Sequence, residues 1–237
     1  MNSVVRVGDT VRRIPGNCTP TIHRLLVHVR ERGVIWVPAP LGYDDRGREI
    51  LTFIPGEVPH EMPQWVWSDV VLADVARSLR QWHDATIGFD AVGSTWGLDA
   101  RDPPEVICHN DFAPYNMVFT DGRLTGVIDF DYCSPGPRIW DIAYLAYRLA
   151  PLSGALGPEP FSAGEQAARL GRLLAAYGSL ASSEEVVATA VPRLRDLADF
   201  SDRAAAELGN PDLTRHADGY RADADRLARG QLTTPAS

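Results

Sequence analysis

The chain has 237 residues, 45% of them hydrophobic and 23% charged, and a formal net charge of −8. That length builds one substantial core or two small lobes, and the composition is ordinary for a globular protein. No apolar run approaches the roughly 20 residues of a membrane span, no charged start leads into an apolar stretch of the secretory kind, and the acidic balance speaks against a nucleic-acid partner.

In chain order, Val4–Val7 and Thr10–Ile14 are β-rich runs about Gly8-Asp9, which predicts a hairpin. Thr19 with Pro20 behind it reads as cap and first residue of a helix, and Ile22, Leu25, Leu26 and Val29 repeat at helical spacing up to Gly33. Val34–Leu41, with Pro38 and Pro40, is a loop or an edge segment. Glu49–Ile54 is a strand, and Pro55-Gly56 breaks it. Ser68–Ile87 is a long helix with Val71, Val75, Leu79 and Trp82 on one face. Residues 88–104 form a loop. Val106–Cys108 is a short buried strand, and Met117–Thr120 with Leu124–Phe130 make a hairpin through Asp121-Gly122. Ile139–Leu149, Glu165–Tyr177, Glu184–Leu208 and Leu213–Arg229 are helices. The third of these carries Pro192 as a kink, and Asn210-Pro211 opens the last. The tail Gly230–Ser237 reads as disordered. This order predicts an α/β (α+β) chain with a small β-rich lobe at residues 1–55 and a larger, mostly helical lobe at 56–237.

Cys18, Cys108 and Cys133 form no CxxC pair, which favours a reducing cytoplasm and argues against a disulfide framework or a zinc site. All 23 basic residues are Arg. Chemistry that needs a lysine nucleophile, Schiff base or phosphate-binding lysine is therefore excluded, and Arg must supply every fixed positive charge. Charge is uneven: residues 1–58 carry a net +2 and residues 59–158 a net −7. A basic front on an acidic body suits a protein that holds an anion at one end. Ordinary solubilising charge gives the same pattern.

The informative stretch is His109-Asn110-Asp111-Phe112-Ala113-Pro114-Tyr115-Asn116, a loop between rigid elements, followed by Ile128-Asp129-Phe130-Asp131. Phosphoryl transfer needs a carboxylate near the incoming hydroxyl and oxygen ligands for magnesium. One loop can aim Asp111 at an acceptor and Asn116 at a metal, and a short hairpin can return Asp129 to the same ion. Asp131 is either a second metal neighbour or a capping acid.

H-x-D-x-x-x-x-N followed by D-F is the catalytic-loop and metal-loop pattern of the protein-kinase-like fold. HNDFAPYN, VIDFD and then Asp141-Ile142-Ala143 resemble the aminoglycoside phosphotransferase and choline kinase branch, which typically shows H-G-D-x-x-x-x-N, I-D-[FW] and D-[IL]-A. Trp82-His83-Asp84 resembles the end of that family's long helix. The resemblance implies Asp111 as base, Asn116 and Asp129 as magnesium ligands, His109 as a residue stiffening the catalytic loop, and Asp141 as a brace. It also implies ATP or GTP as phosphoryl donor. Arg13 or Arg12 stands in the place of the family's lysine, and Thr52-Phe53-Ile54 resembles the hinge that meets the base. The expected partners are a nucleoside triphosphate and a small hydroxylated molecule, with a cationic aminosugar or amino alcohol suiting the acidic body; no nucleic acid or membrane is expected.

The departures lie in the front lobe. No Gly-rich phosphate loop is visible, and only a dozen residues precede Arg13. His23-Arg24-Leu25-Leu26 stands where the family has E-x-x-L, so the helix offers Arg13 no carboxylate partner before Glu31. Two readings follow: an active small-molecule kinase with a pared-down front lobe, or a kinase-like small-molecule-binding protein with weak or no turnover.

Overall fold

The protein is described here from a computed structural model that covers residues 4–152 and 161–232. Its contacts divide the chain into two compact units, Met1–Asp141 and Ile142–Ser237. Among the described residues no helix is long and apolar enough to cross a membrane.

The first unit opens with the expected hairpin, Val5–Val7 (β1) against Thr10–Arg13 (β2), with Val7 opposite Thr10. Helix α1, Thr19–Glu31, follows. Thr19 is its first residue rather than its cap. Cys18 holds the cap position without a side-chain capping bond, and the Thr19 hydroxyl turns back to accept from Gly16 N at 2.9 Å. Pro40–Tyr43 (β3) and Glu49–Thr52 (β4) complete an antiparallel sheet of order β1-β2-β4-β3. The proline-bearing β3 lies at its edge, where a missing N–H costs no ladder bond. Along β4, Glu49 and Leu51 point inward. A carboxylate on the buried face of a strand needs a partner.

After a 3-10 turn at Gln64–Trp67, Ser68 caps helix α2, Asp69–Thr86, by accepting from Val71 N at 3.3 Å. The helix buries Val71, Leu72, Val75, Leu79 and Trp82 completely or nearly so. Val106–Cys108 (β5), Met117–Thr120 (β6), Arg123–Val127 (β7) and Ser134–Gly136 (β8) form two short ribbons, β5 with β8 and β6 with β7. Strand β8 escapes the sequence pattern: Ser134-Pro135-Gly136 has turn composition, and only pairing with β5 makes it a strand.

Helix α3, Arg138–Leu149, begins in the first unit and runs into the second. The second unit holds α4, Ala163–Tyr177, α5, Ser183–Leu208, and α6, Pro211–Ala228. Capping boxes at Ser162/Glu165 and Ser182/Glu185 start α4 and α5, and Asn210 caps α6 by accepting from Asp212 N. Pro192 lies inside α5, which continues through it. The Tyr147 hydroxyl donates to Asp223 at 2.9 Å, and Arg169 Nε to Leu149 O at 3.0 Å. Of the tail expected to be disordered, Gln231 and Leu232 are held by Arg226 Nη1 at 2.8 and 2.7 Å; residues 233–237 lie outside the described residues.

Candidate active site

The motif loop is built on a buried frame within the first unit. Asp141, in the first turn of α3, accepts from His109 N at 2.7 Å and Asn110 N at 2.9 Å, and from His83 Nε2 on α2 at 3.1 Å. Burial by itself would raise the Asp141 pKa, but the His83 bond, the charges of His83 and His109 and the backbone donor pull it below the usual carboxylate value. Burial pushes His83 the other way, below the usual imidazole value despite Asp141. His83 Nε2 therefore donates to an ionised Asp141.

Asn110 occupies the place of the glycine in H-G-D and adopts φ +64°. Asn is among the few L-residues that visit this left-handed region readily. Its amide secures the conformation by donating to Tyr132 O at 2.8 Å and Ser134 Oγ at 2.9 Å. The His109 ring is fully buried among Trp82, Phe112 and Phe130, with its Nδ1 accepting from Asp111 N at 3.3 Å. No part of the ring reaches the surface.

Asp111 and Asn116 come together directly. Asn116 Nδ2 donates to Asp111 Oδ2 at 2.8 Å and to its carbonyl at 3.0 Å, while the Tyr115 hydroxyl donates to Asp111 Oδ1. Tyr115 and Asn116 share the 3-10 turn Pro114–Asn116. The β6–β7 hairpin returns the chain beside them, with Ile128 N donating to Asn116 O at 2.9 Å. Asp129 then sits at φ +63°, with its side chain 45% exposed. Partial burial and the nearby charges of Asp131 and Asp111 push its pKa up, against the opposing pull of His109 and Arg13. A left-handed backbone at a non-glycine residue and crowded carboxylates in one place are features that accompany functional sites.

Arg13 reaches this cluster from β2. Its guanidinium grips Asp131 at 2.7 and 2.5 Å in a bidentate pair and lies 4.0 Å from Asp129. Its Nε is 2.7 Å from Glu49 Oε1, an ion contact without hydrogen-bond alignment. The other Glu49 oxygen meets His23 Nε2 at 2.9 Å. The carboxylate that α1 lacks thus comes from β4, and His23 lies on its far side rather than against Arg13. Neither Glu49 nor Tyr115 stands out in the sequence reading; the one signal for Glu49 is a charge on the inward face of a strand. Arg12 points elsewhere, with Nε 3.9 Å from Asp44. Of the three hinge residues, Thr52 pairs with Thr10 in the sheet, and Phe53 N donates to Asp9 O at 2.8 Å beneath the Arg6 guanidinium. Ile54 lies over Gly126, where a Cβ would fall 2.6 Å from its Cγ2. The Phe53 N–H is thus engaged by the β1–β2 turn.

Residues 96–182 match the Phosphotransferase enzyme family. A trifolitoxin immunity protein of Rhizobium leguminosarum bv. trifolii is 34% identical over 140 residues, 56% of this chain, and the chain spans about half (52%) of that relative's length. A choline/ethanolamine kinase family protein from Mesorhizobium loti superposes with a TM-score of 0.66 at 19% identity, over 99% of this chain and 86% of that one. The gentamicin complex of APH(2")-IIa does so with a TM-score of 0.59 at 16% identity, over 98% and 89%. The chain resembles the phosphotransferase enzyme family across the segment that carries the motif loop, and nearly its whole length takes the protein-kinase-like fold of those two structures.

Proposed function

We propose that this protein is a phosphotransferase that moves the terminal phosphoryl group of ATP or GTP to a hydroxyl of a small molecule. The observation that carries the reading is the meeting of Asp111 and Asn116 on one braced turn, with Asp129 returned beside them. Asp111 is the base: it takes the acceptor's hydroxyl proton as the acceptor oxygen bonds to the γ-phosphorus and the bond to the β–γ bridging oxygen breaks, releasing nucleoside diphosphate. His109 and Asp141 position that base without touching substrate. The kinase-like relatives and the all-oxygen donor set support a magnesium ion. Asn116 spends Nδ2 on Asp111 and keeps its amide oxygen for a hard cation, and Asp129 adds a half-exposed carboxylate crowded by Asp131 and Asp111. Such an ion supplies charge neutralisation at the phosphates. The acidic middle of the chain favours a cationic acceptor, an aminosugar or amino alcohol.

The second reading, a kinase-like protein that binds a small molecule with little turnover, draws on two observations. Arg13 already faces the carboxylates of Asp131, Glu49 and Asp129, and the Phe53 N–H is spent on Asp9. Calorimetry with ATP and GTP, each with and without magnesium, followed by an acceptor screen for released diphosphate, separates the two. Magnesium-dependent binding with turnover on a hydroxylated amine is the expected result. If neither nucleotide binds at millimolar concentration, the phosphotransferase reading is wrong.

A further inference from the structure

Both oxygens of the Asp111 carboxylate are covered by donors from one turn. Asn116 Nδ2 holds Oδ2 at 2.8 Å, and the Tyr115 hydroxyl holds Oδ1. Asn116 is buried and donates also to the Asp111 carbonyl; Tyr115 is half-buried at the middle of the Pro114–Asn116 turn. Pro114 at the head of the turn, closed by Asn116 N to Ala113 O at 2.9 Å, fixes the backbone from which the phenol is presented. An O–H donating to a carboxylate oxygen is the arrangement that an acceptor hydroxyl must make with its base. Tyr115 therefore stands in, chemically, for an acceptor.

We propose that Tyr115 is a specificity-determining residue: its hydroxyl occupies the acceptor position on Asp111 Oδ1, so that an acceptor engages the base only by displacing it, and water is kept from using the same oxygen. The proposal rests on the phosphotransferase reading above. The phenol's bond to an ionised oxygen is charge-assisted, stronger than the bond a single water makes. A small-molecule acceptor held by several contacts of its own can outcompete it. With Tyr115 in place, nucleotide bound without acceptor is spared hydrolysis. With the phenol hydroxyl removed, a water reaches Oδ1, gives its proton there and attacks the γ-phosphorus, and inorganic phosphate and nucleoside diphosphate leave.

The test compares wild type with Tyr115→Phe, which keeps the ring and loses only the hydroxyl. Phosphate release from magnesium ATP and magnesium GTP is measured with no acceptor present, alongside nucleotide affinity by calorimetry. The expected result is acceptor-independent hydrolysis about fivefold faster in Tyr115→Phe, with unchanged nucleotide affinity. Nucleotide bound equally by both proteins, with hydrolysis unchanged or slower in the variant, overturns the role of Tyr115 alone. No nucleotide binding by wild type overturns the phosphotransferase reading, and this proposal with it.

Discussion

Asp141 makes its three hydrogen bonds from full burial, two to backbone amides of the motif loop and one to His83. A buried carboxylate is tolerable only when its oxygens are satisfied in this way. The arrangement has a pH signature. The folded-state pKa of His83 lies below its ordinary value, so protons favour the unfolded chain. Stability from this residue is complete above the unfolded value of about 6.5 and declines as pH falls below it. Asp141, also depressed, acts in the same direction at lower pH, from the ordinary aspartate range downward. The urea midpoint of wild type should therefore fall between pH 7 and pH 5, and His83→Gln should flatten that slope while lowering stability at pH 7. A midpoint in the variant that falls as steeply as wild type would remove His83 from this role. Asn110 shows how a departure from the family pattern is absorbed at one residue. Its left-handed backbone does what glycine would do, and its amide adds two bonds that glycine could not make.

At the scale of elements, the passage from β4 toward α2 is fixed by one close approach. Glu57 and Phe119 exchange backbone bonds of 2.8 Å each way, which draws Gly56 against β6. A Cβ on Gly56 would lie 2.5 Å from Phe119 O and 2.6 Å from Val118 Cγ1, at a φ of +145°. Backbone cannot yield as a side-chain tip can. Gly56→Ala should cost roughly 2–4 kcal/mol in chemical denaturation. Gly171, inside α4 with nothing within 4 Å of its would-be Cβ, provides the contrast. There alanine should stabilise by up to about 1 kcal/mol through helix propensity. Equal effects at the two glycines would show that the β6 contact does not constrain the chain. The sequence reading marks Pro55-Gly56 as a break on composition; what the break accommodates is visible only once β6 lies beside it.

For the whole molecule, the proposed reaction separates residues that act on the acceptor from residues that act on the donor. Asp111→Asn keeps the shape of the carboxylate and removes its basicity, so turnover should fall by about 100-fold or more with nucleotide affinity nearly unchanged. Asp129→Ala removes a proposed metal ligand and should weaken magnesium-dependent nucleotide binding itself. Calorimetry beside steady-state turnover reads both, and equal turnover in wild type and Asp111→Asn would refute the base. Division of the molecule into a small lobe at residues 1–55 and a large one at 56–237 remains a proposal from element order; within Met1–Asp141, the sheet meets the segment after β7 through Arg13 and Asp131.

Local chemistry decided much of this protein by itself. Helical periodicity with Ser68 and Asn210 as caps fixed α2 and α6, Gly8-Asp9 and Asp121-Gly122 fixed two hairpins, and the spacing of Asp111, Asn116 and Asp129 marked the loop. Those signals lie within a few residues of one another, where propensity and short-range geometry act. Partners far apart in the chain were decided only by the tertiary structure: Glu49 and Asp131 for Arg13, Asp141 for His83 and the motif amides, and β8 as a strand despite Pro135. Which buried charge finds which partner depends on what packing brings within hydrogen-bond reach, and no local pattern encodes that.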